Sequence, residues 1–282
     1  VNAGSRSPFR PDLLAGSVAM VTGAGTGIGK VITLELARHG ADVALASRGV
    51  ERLEETAAEI RALGRRAAVC PTDVSDPKQV KAAVERAESE LGGLDLLVNN
   101  AAANFIRPSR MLTPVRWNKI VDIVLNGTFY GCLEAGKRML DRRRGSIVNI
   151  VAAYAWTGAP GLAPSASAKA GVVTLTRSLG AEWASAGVRV NAIAPGLIDT
   201  PQTRERLWPD ETMVERMLKT VPAGGFGSEY DVSNLVLYLA SEAGSYITGE
   251  VITADGGQSL GKGALDMLES LKPVRRRTVD GK

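Results

Sequence analysis

From residue 18 to residue 254, short β-branched apolar runs alternate with longer stretches whose apolar positions recur every three to four residues. The runs Val18–Val21, Asp42–Ala46, Ala67–Cys70, Leu94–Val98, Ser146–Val151, Arg189–Ile193 and Glu250–Thr253 read as strands. Most are apolar without alternation, the pattern of strands covered on both faces. Helices are expected near 27–39, 50–63, 77–91, 114–141, 166–186 and 229–241. The third places Val80, Val84, Ala87 and Leu91 on one face, with Lys81, Glu85, Glu88 and Glu90 elsewhere. Asp76-Pro77 and Thr113-Pro114 each set a capping side chain before a proline at the first helical position. Ser228-x-x-Asp231 has the spacing of a capping box. Strands alternating with helices predict an α/β fold: a single Rossmann-type, doubly wound parallel sheet of seven strands with helices on both faces. No repeat or linker interrupts the pattern. The expected division is an N-terminal extension over 1–14, one domain over 15–260 and a C-terminal tail over 261–282.

Composition narrows the function classes. The 282 residues, 45% of them hydrophobic, suffice for one large core. The net charge of +4 is spread along the chain, and only Arg275-Arg276-Arg277 is dense, so no nucleic-acid partner is expected. Cys70 and Cys132 lack a neighbouring Cys or His, which argues against a metal site or disulfide framework and for a reducing compartment. The single histidine, His39, stands beside Gly40 at a predicted helix end and reads as a helix-end residue rather than a catalytic base. Val1–Leu14 contains no apolar core of a signal peptide. The uncharged stretch Gly145–Ala168 holds Asn149, Pro160, Gly161, Pro164 and Ser165, and reads as a buried strand followed by a loop, not as a membrane span. The expected setting is the cytoplasm of a bacterium, since Arg outnumbers Lys, with the mitochondrial matrix as the alternative for a eukaryotic source.

The candidate chemistry begins where the first strand ends. Val18-Ala19-Met20-Val21 runs into Thr22-Gly23-Ala24-Gly25-Thr26-Gly27-Ile28-Gly29 and then into a helix. Glycines permit positive φ and close backbone approach, and the helix start offers free N–H groups to a pyrophosphate. Gly23, Gly25, Thr26, Gly27, Ile28 and Gly29 are thus candidate cofactor contacts. The second strand ends Ala46-Ser47-Arg48, without the acid that accepts from a ribose 2′-hydroxyl in an NAD site. Ser47 and Arg48 suit a 2′-phosphate, so the expected cofactor is NADPH. Asp73, followed by Val74, can accept from the adenine amino group. The amides of Asn99-Asn100, with Ala101-Ala102, can hold the crevice open beside the nicotinamide ribose. Pro195-Gly196-Leu197-Ile198, after the sixth strand, would face the carboxamide.

Thr22–Gly29, Asp73, Asn99–Ala102, Asn126, Lys169 and Pro195-Gly196, in this order, resemble the short-chain dehydrogenase/reductase family over roughly residues 15–260. In that family a serine after the fifth strand and a Tyr-x-x-x-Lys on the next helix carry carbonyl chemistry. Here Ser165 stands four residues before Lys169, and Val151-Ala152-Ala153 fills the serine's stretch. Tyr154, one residue further on, and Asn104, in the loop after the fourth strand, are neutral donors that could converge on one oxygen. With the runs Asn104-Phe105-Ile106, Asp122–Thr128 and Pro164–Gly171, this set resembles the 2,4-dienoyl-CoA reductase branch with the mitochondrial-type active site. The resemblance implies NADPH-dependent reduction of a 2,4-dienoyl-CoA to a 3-enoyl-CoA in the β-oxidation of unsaturated fatty acids, by a homotetramer built through helices 114–141 and 166–186. It implies that Tyr154 and Asn104 bind the thioester carbonyl and that Ser165 and Lys169 contact the cofactor. Phe105 and Thr113 match substrate-contacting positions. The branch has an arginine two residues after the acid at Asp73, where this chain has Ser75, so Arg107, Arg110 or the Arg275 cluster would hold the CoA phosphates instead. Two alternatives stay open: a trans-2-enoyl-CoA reductase with Tyr130 as donor, and a relative that binds NADPH without turnover.

Overall fold

The computed structural model describes residues 7–200, 203 and 210–260. Seven strands, β1 (Val18–Thr22), β2 (Asp42–Ser47), β3 (Ala67–Pro71), β4 (Leu96–Asn99), β5 (Gly145–Ile150), β6 (Val188–Pro195) and β7 (Val251–Ala254), form one sheet in the order β3-β2-β1-β4-β5-β6-β7. Every neighbouring pair is parallel, as the sequence pattern requires. The helices α1 (Gly27–Arg38), α2 (Val50–Ala62), α3 (Pro77–Leu91), α4 (Pro114–Val121), α5 (Gly127–Asp141), α6 (Tyr154–Thr157), α7 (Ala163–Trp183), α8 (Glu211–Leu218) and α9 (Glu229–Ala240) complete the described chain. One core joins Ile32 and Leu36 of α1 and Val232 and Val236 of α9 to Val21, Val43 and Val98 of the sheet. On the opposite face Val84 of α3, Met139 of α5 and Trp183 of α7 pack on Met20, Leu97 and Ile147. The fold is therefore the doubly wound α/β sandwich expected. The chain reverses direction across the sheet between β1 and β4, and the crevice over their carboxyl ends is where such sheets bind ligands.

The sequence's local signals act as read. Asp76 accepts the N–H of Lys78 at 2.9 Å, and Thr113 accepts that of Arg116 at 3.3 Å. Asp231 accepts the backbone N–H of Ser228 at 2.7 Å. His39 ends α1, buried, with Nδ1 donating to the Glu35 carbonyl at 2.7 Å.

Three details differ. The helix expected over 114–141 contains a π turn, Asp122–Asn126, between α4 and α5. Apolar periodicity does not register a single wide turn. Gly127 follows it, and a Cβ there would lie 3.0 Å from the Val74 side chain. The stretch read as loop before 166 holds α6 and the first turn of α7, because Pro164 sits where a helix tolerates proline. The extension expected over 1–14 is packed from Phe9: Leu14 is buried in the core, with Phe9 and Leu13 against it. The tail 261–282, with Arg275–Arg277, lies outside the described residues. Among the described residues no helix is long and apolar enough to cross a membrane, and no group of His, Cys, Asp and Glu is placed to hold a metal ion.

Candidate active site

A cleft of about 940 Å³ lies over the carboxyl ends of the strands, a size that suits a cofactor and substrate together. Its first wall is the β1–α1 turn, where Gly23, Thr26, Gly27, Ile28 and Gly29 line the space. Gly23 has φ +70°, and a Cβ on Gly29 would lie 2.2 Å from the Gly23 carbonyl oxygen. Only glycine allows this turn to fold so tightly. Thr26 caps α1 without a side-chain hydrogen bond, and the first turn of α1 carries no acid. The leading N–H groups of α1 are therefore available to an anion. Gly25 is turned away; a Cβ there would meet Arg52 at 3.2 Å.

The turn is held from behind. Asn100 Nδ2 donates to the Thr22 carbonyl at 3.0 Å, and the backbone N–H groups of Asn100 and Ala101 both donate to Thr22 Oγ1 at 3.0 Å. Asn100, Ala101 and Ala102 line the cleft. Asn99 is buried instead, its amide donating to Asn149 Oδ1 at 2.9 Å, while the Asn149 amide donates to Thr176 Oγ1 at 3.0 Å. This network fastens β4 and β5 to α7, so the paired asparagines divide the work the sequence assigned to both.

The next wall holds Ser47, Arg48, Asp73 and Val74. The Arg48 cation faces the space where β2 ends, with no acid on that tip. Ser75 Oγ donates to Asp73 Oδ1 at 2.7 Å, and the Ser75 N–H does so at 3.0 Å. These bonds, with the nearby Arg48 charge, hold the Asp73 carboxyl below the usual range. Pro195, Gly196 and Ile198 line the far side.

Of the reacting candidates, Tyr154, Asn104 and Lys169 line the same cleft. Lys169, 5% exposed, donates through Nζ to the Ile150 carbonyl at the end of β5. Burial without a carboxylate partner pulls its pKa down to about 8. Tyr154 Oη lies 3.1 Å from Ser165 Oγ, and burial raises the phenol's pKa while that bond opposes the rise. Ser165 is buried behind the tyrosine and does not itself line the cleft. Asn104 Oδ1 accepts the Phe105 N–H at 2.9 Å, which leaves its amide nitrogen to donate elsewhere.

Other expected residues lie apart. Thr113 is engaged as the cap of α4, outside the cleft, and Phe105 lines a second, smaller cavity beside it. Tyr130 lies on α5 against Phe129, at a ring-centroid distance of 6.0 Å, and is absent from the cleft walls. Asn126 closes the π turn, its amide donating to Asp122 at 2.9 Å. Both thiols are buried and pushed up, Cys70 to about 11 and Cys132 to about 12, so neither serves as a nucleophile. Sequence reasoning stopped at Ile198 and missed Thr200, Met213, Met217, Thr220 and Gln258, which line the same cleft. The i, i+4 methionines of α8, on a helix with no fully buried residue, were the available signal.

The family described as enoyl-(acyl carrier protein) reductase matches residues 23–259. A Caenorhabditis elegans protein named as a probable (3E)-enoyl-CoA-producing 2,4-dienoyl-CoA reductase is 42% identical over 89% of this chain and 82% of its own. A Bacillus subtilis protein named as a probable (2E)-enoyl-CoA-producing 2,4-dienoyl-CoA reductase is 40% identical, covering 86% and 96%. The 3-oxoacyl-[acyl-carrier-protein] reductase of Staphylococcus aureus is 38% identical over 85% and 96%. The crystal structure of a short-chain dehydrogenase from Bacillus anthracis superposes with TM-score 0.80 at 37% identity, covering 88% of this chain and 98% of that one.

Proposed function

The chain is an oxidoreductase of the short-chain dehydrogenase/reductase family, and on that premise we propose that it reduces 2,4-dienoyl-CoA thioesters with NADPH to 3-enoyl-CoA, in the β-oxidation of unsaturated fatty acids. The observation that carries this reading is the pair of neutral donors, Tyr154 and Asn104, in one cleft with Lys169, while Ser165 backs the tyrosine from the position four residues before the lysine. NADPH, when bound, supplies a hydride to C5 of the conjugated chain.

The residues fit that cofactor. The Gly23–Gly29 turn is close-packed, with no space for a Cβ at Gly23 or Gly29, and the open end of α1 that follows it favours a pyrophosphate. Arg48 and Ser47 would meet the 2′-phosphate, and the Lys169 amine the nicotinamide ribose. Tyr154 and Asn104 would donate to the thioester oxygen as negative charge moves onto it. The Ser165 hydroxyl can donate to Tyr154 Oη, which leaves the phenol proton for the substrate. The phenol's raised pKa keeps that proton in place, so Tyr154 stabilises the charge by hydrogen bonding and water completes the reaction at carbon. An alcohol product would require a proton at the oxygen itself.

NADPH oxidation measured with 2,4-hexadienoyl-CoA, crotonyl-CoA and acetoacetyl-CoA separates the readings. Turnover is expected with the first and little with the others, and NMR of the product places its double bond at C3. Turnover confined to crotonyl-CoA or acetoacetyl-CoA, or tight NADPH binding without any turnover, overturns the proposal. Arg48→Ala is expected to raise KM for NADPH far more than for NADH, and equal changes would remove the 2′-phosphate from that site.

A further inference from the structure

Beside the main cleft lies a second cavity of about 410 Å³. The loop 103–107 after β4 and one face of α4 continuing into the π turn build it, and Arg48, just past β2, also lines it. Arg116, Lys119, Ile120 and Ile123 stand at i, i+3, i+4 and i+7, so a helical face presents two cations beside two isoleucines. The loop contributes Arg107 and the half-buried ring of Phe105. No Asp or Glu lines this cavity, and among the described residues Arg107, Arg116 and Lys119 have no ion-pair partner. Several cations on α3 and α5 are neutralised instead: Arg86, Lys137 and Arg138 are each paired with a glutamate. The two cavities share Arg48, Asn104, Ile106 and Ile123, so a molecule whose reacting end lies beside Asn104 can run directly from one into the other.

We infer that this basic annex receives the phosphorylated nucleotide end of a coenzyme A thioester, with Arg107, Arg116 and Lys119 on its phosphates and Phe105, Ile120 and Ile123 beneath its adenine. The inference rests on the thioester reading of the main cleft. Three uncompensated cations around an apolar floor match a flat base that carries several phosphate charges. A concave site of this volume suits a nucleotide; an acidic carrier protein would instead need the cations on an open convex surface. The annex also accounts for Ser75. Ser75 donates to Asp73, the β3–α3 loop (72–76) contains no Lys or Arg, and the positive charge lies on α4 and the 103–107 loop instead.

The test uses the full-length protein saturated with NADP⁺, so that a nucleotide probe cannot occupy the cofactor site. Calorimetric titration with adenosine 3′,5′-bisphosphate and with free coenzyme A is compared between wild type and Arg116→Glu/Lys119→Glu. Both positions are exposed on α4, so the variant is expected to fold, which circular dichroism checks. Binding of both probes is expected to weaken on the order of 10- to 100-fold, as loss of charged hydrogen bonds predicts. In turnover, the preference in kcat/KM for a dienoyl-CoA over the same dienoyl group on pantetheine should fall by a similar factor. Unchanged probe binding overturns the annex even if dienoyl-CoA is reduced. Probe binding that is lost in the variant supports it even if the dienoyl-CoA assay fails. A wild-type preference for acyl carrier protein over coenzyme A thioesters also overturns it.

Discussion

Two side chains that line the cleft act through burial. Tyr154 holds its proton, so its contribution is one hydrogen bond to developing charge, and loss of such a donor lowers kcat on the order of 10²-fold. Tyr154→Phe is accordingly expected to lower kcat by about that factor, with NADPH affinity retained; an unchanged kcat excludes the tyrosine from the reaction. Lys169 carries a cost. Its pKa lies at about 8 in the fold against the usual 10.5. Between those values the unfolded chain binds more protons than the folded one, so stability from this residue rises with pH across that window. Below pH 8 the full cost remains, about 3 kcal/mol from the shift alone. Its hydrogen-bond partner, the Ile150 carbonyl, borders the cleft, where water can replace the amine. Lys169→Met should therefore raise the cofactor-free Tm at pH 7, and the gap over wild type should shrink from pH 8 to pH 10. Cys70 and Cys132 oppose this trend above pH 9 in both proteins, so the comparison is made at each pH. A gap that does not change with pH would mean that the lysine is not desolvated. The same substitution should also weaken NADPH binding.

At the level of elements, the β1–α1 turn is the most constrained piece. Gly29→Ala would place a Cβ 2.2 Å from the Gly23 oxygen and 2.4 Å from Asn100 Nδ2, both parts of the tied turn. Overpacking of this kind costs about 1–3 kcal/mol, and it should also lower NADPH affinity because the turn must open. Gly25→Ala meets Arg52 at 3.2 Å and Leu53 at 3.7 Å and should lose much less in denaturant unfolding; equal losses would show that the turn is not close-packed. The course of this turn was legible in the sequence, because strand, glycines and helix follow one another without a gap, but which glycine turns away, Gly25, was not. The strands, caps and Asn100 strut were legible for the same reason: each is set by neighbours in sequence or by a fixed position at a strand end. Contacts between distant segments were not. Ser165 reads as a cofactor contact by its place before Lys169, yet in the fold it faces Tyr154, eleven positions away. Thr113 reads as a substrate contact and also as a cap, and the helix takes its hydroxyl. The walls from Thr200 to Gln258 escaped notice because they belong to the cleft only through tertiary folding, and no local motif marks them.

For the whole molecule, α4 and α5 carry apolar side chains that the chain's own core does not cover. Phe129 and Leu133 are neighbours on α5 at i, i+4, 41% and 37% exposed, and Trp117 on α4 is 38% exposed. These helices otherwise turn apolar residues such as Ile120, Cys132 and Met139 inward, so α5 is apolar on two faces. A helix that faces the core on one side needs a second apolar partner to cover the other. Another copy of the chain would supply it, since a two-fold interface pairs a patch with itself. The homotetramer expected from sequence is proposed to use this face, and light scattering should give four chain masses. Leu133→Asp, with Phe129→Asp, puts charges at the centre of that contact and should yield smaller species while each chain stays folded. The annex lined by Arg116 and Lys119 starts on the same α4, so separation of the chains should also weaken binding of coenzyme A if assembly fixes that helix. A tetramer that survives both charges would assign the assembly to another face, and a dissociated protein with unaltered coenzyme A affinity would show that α4 is held by its own chain.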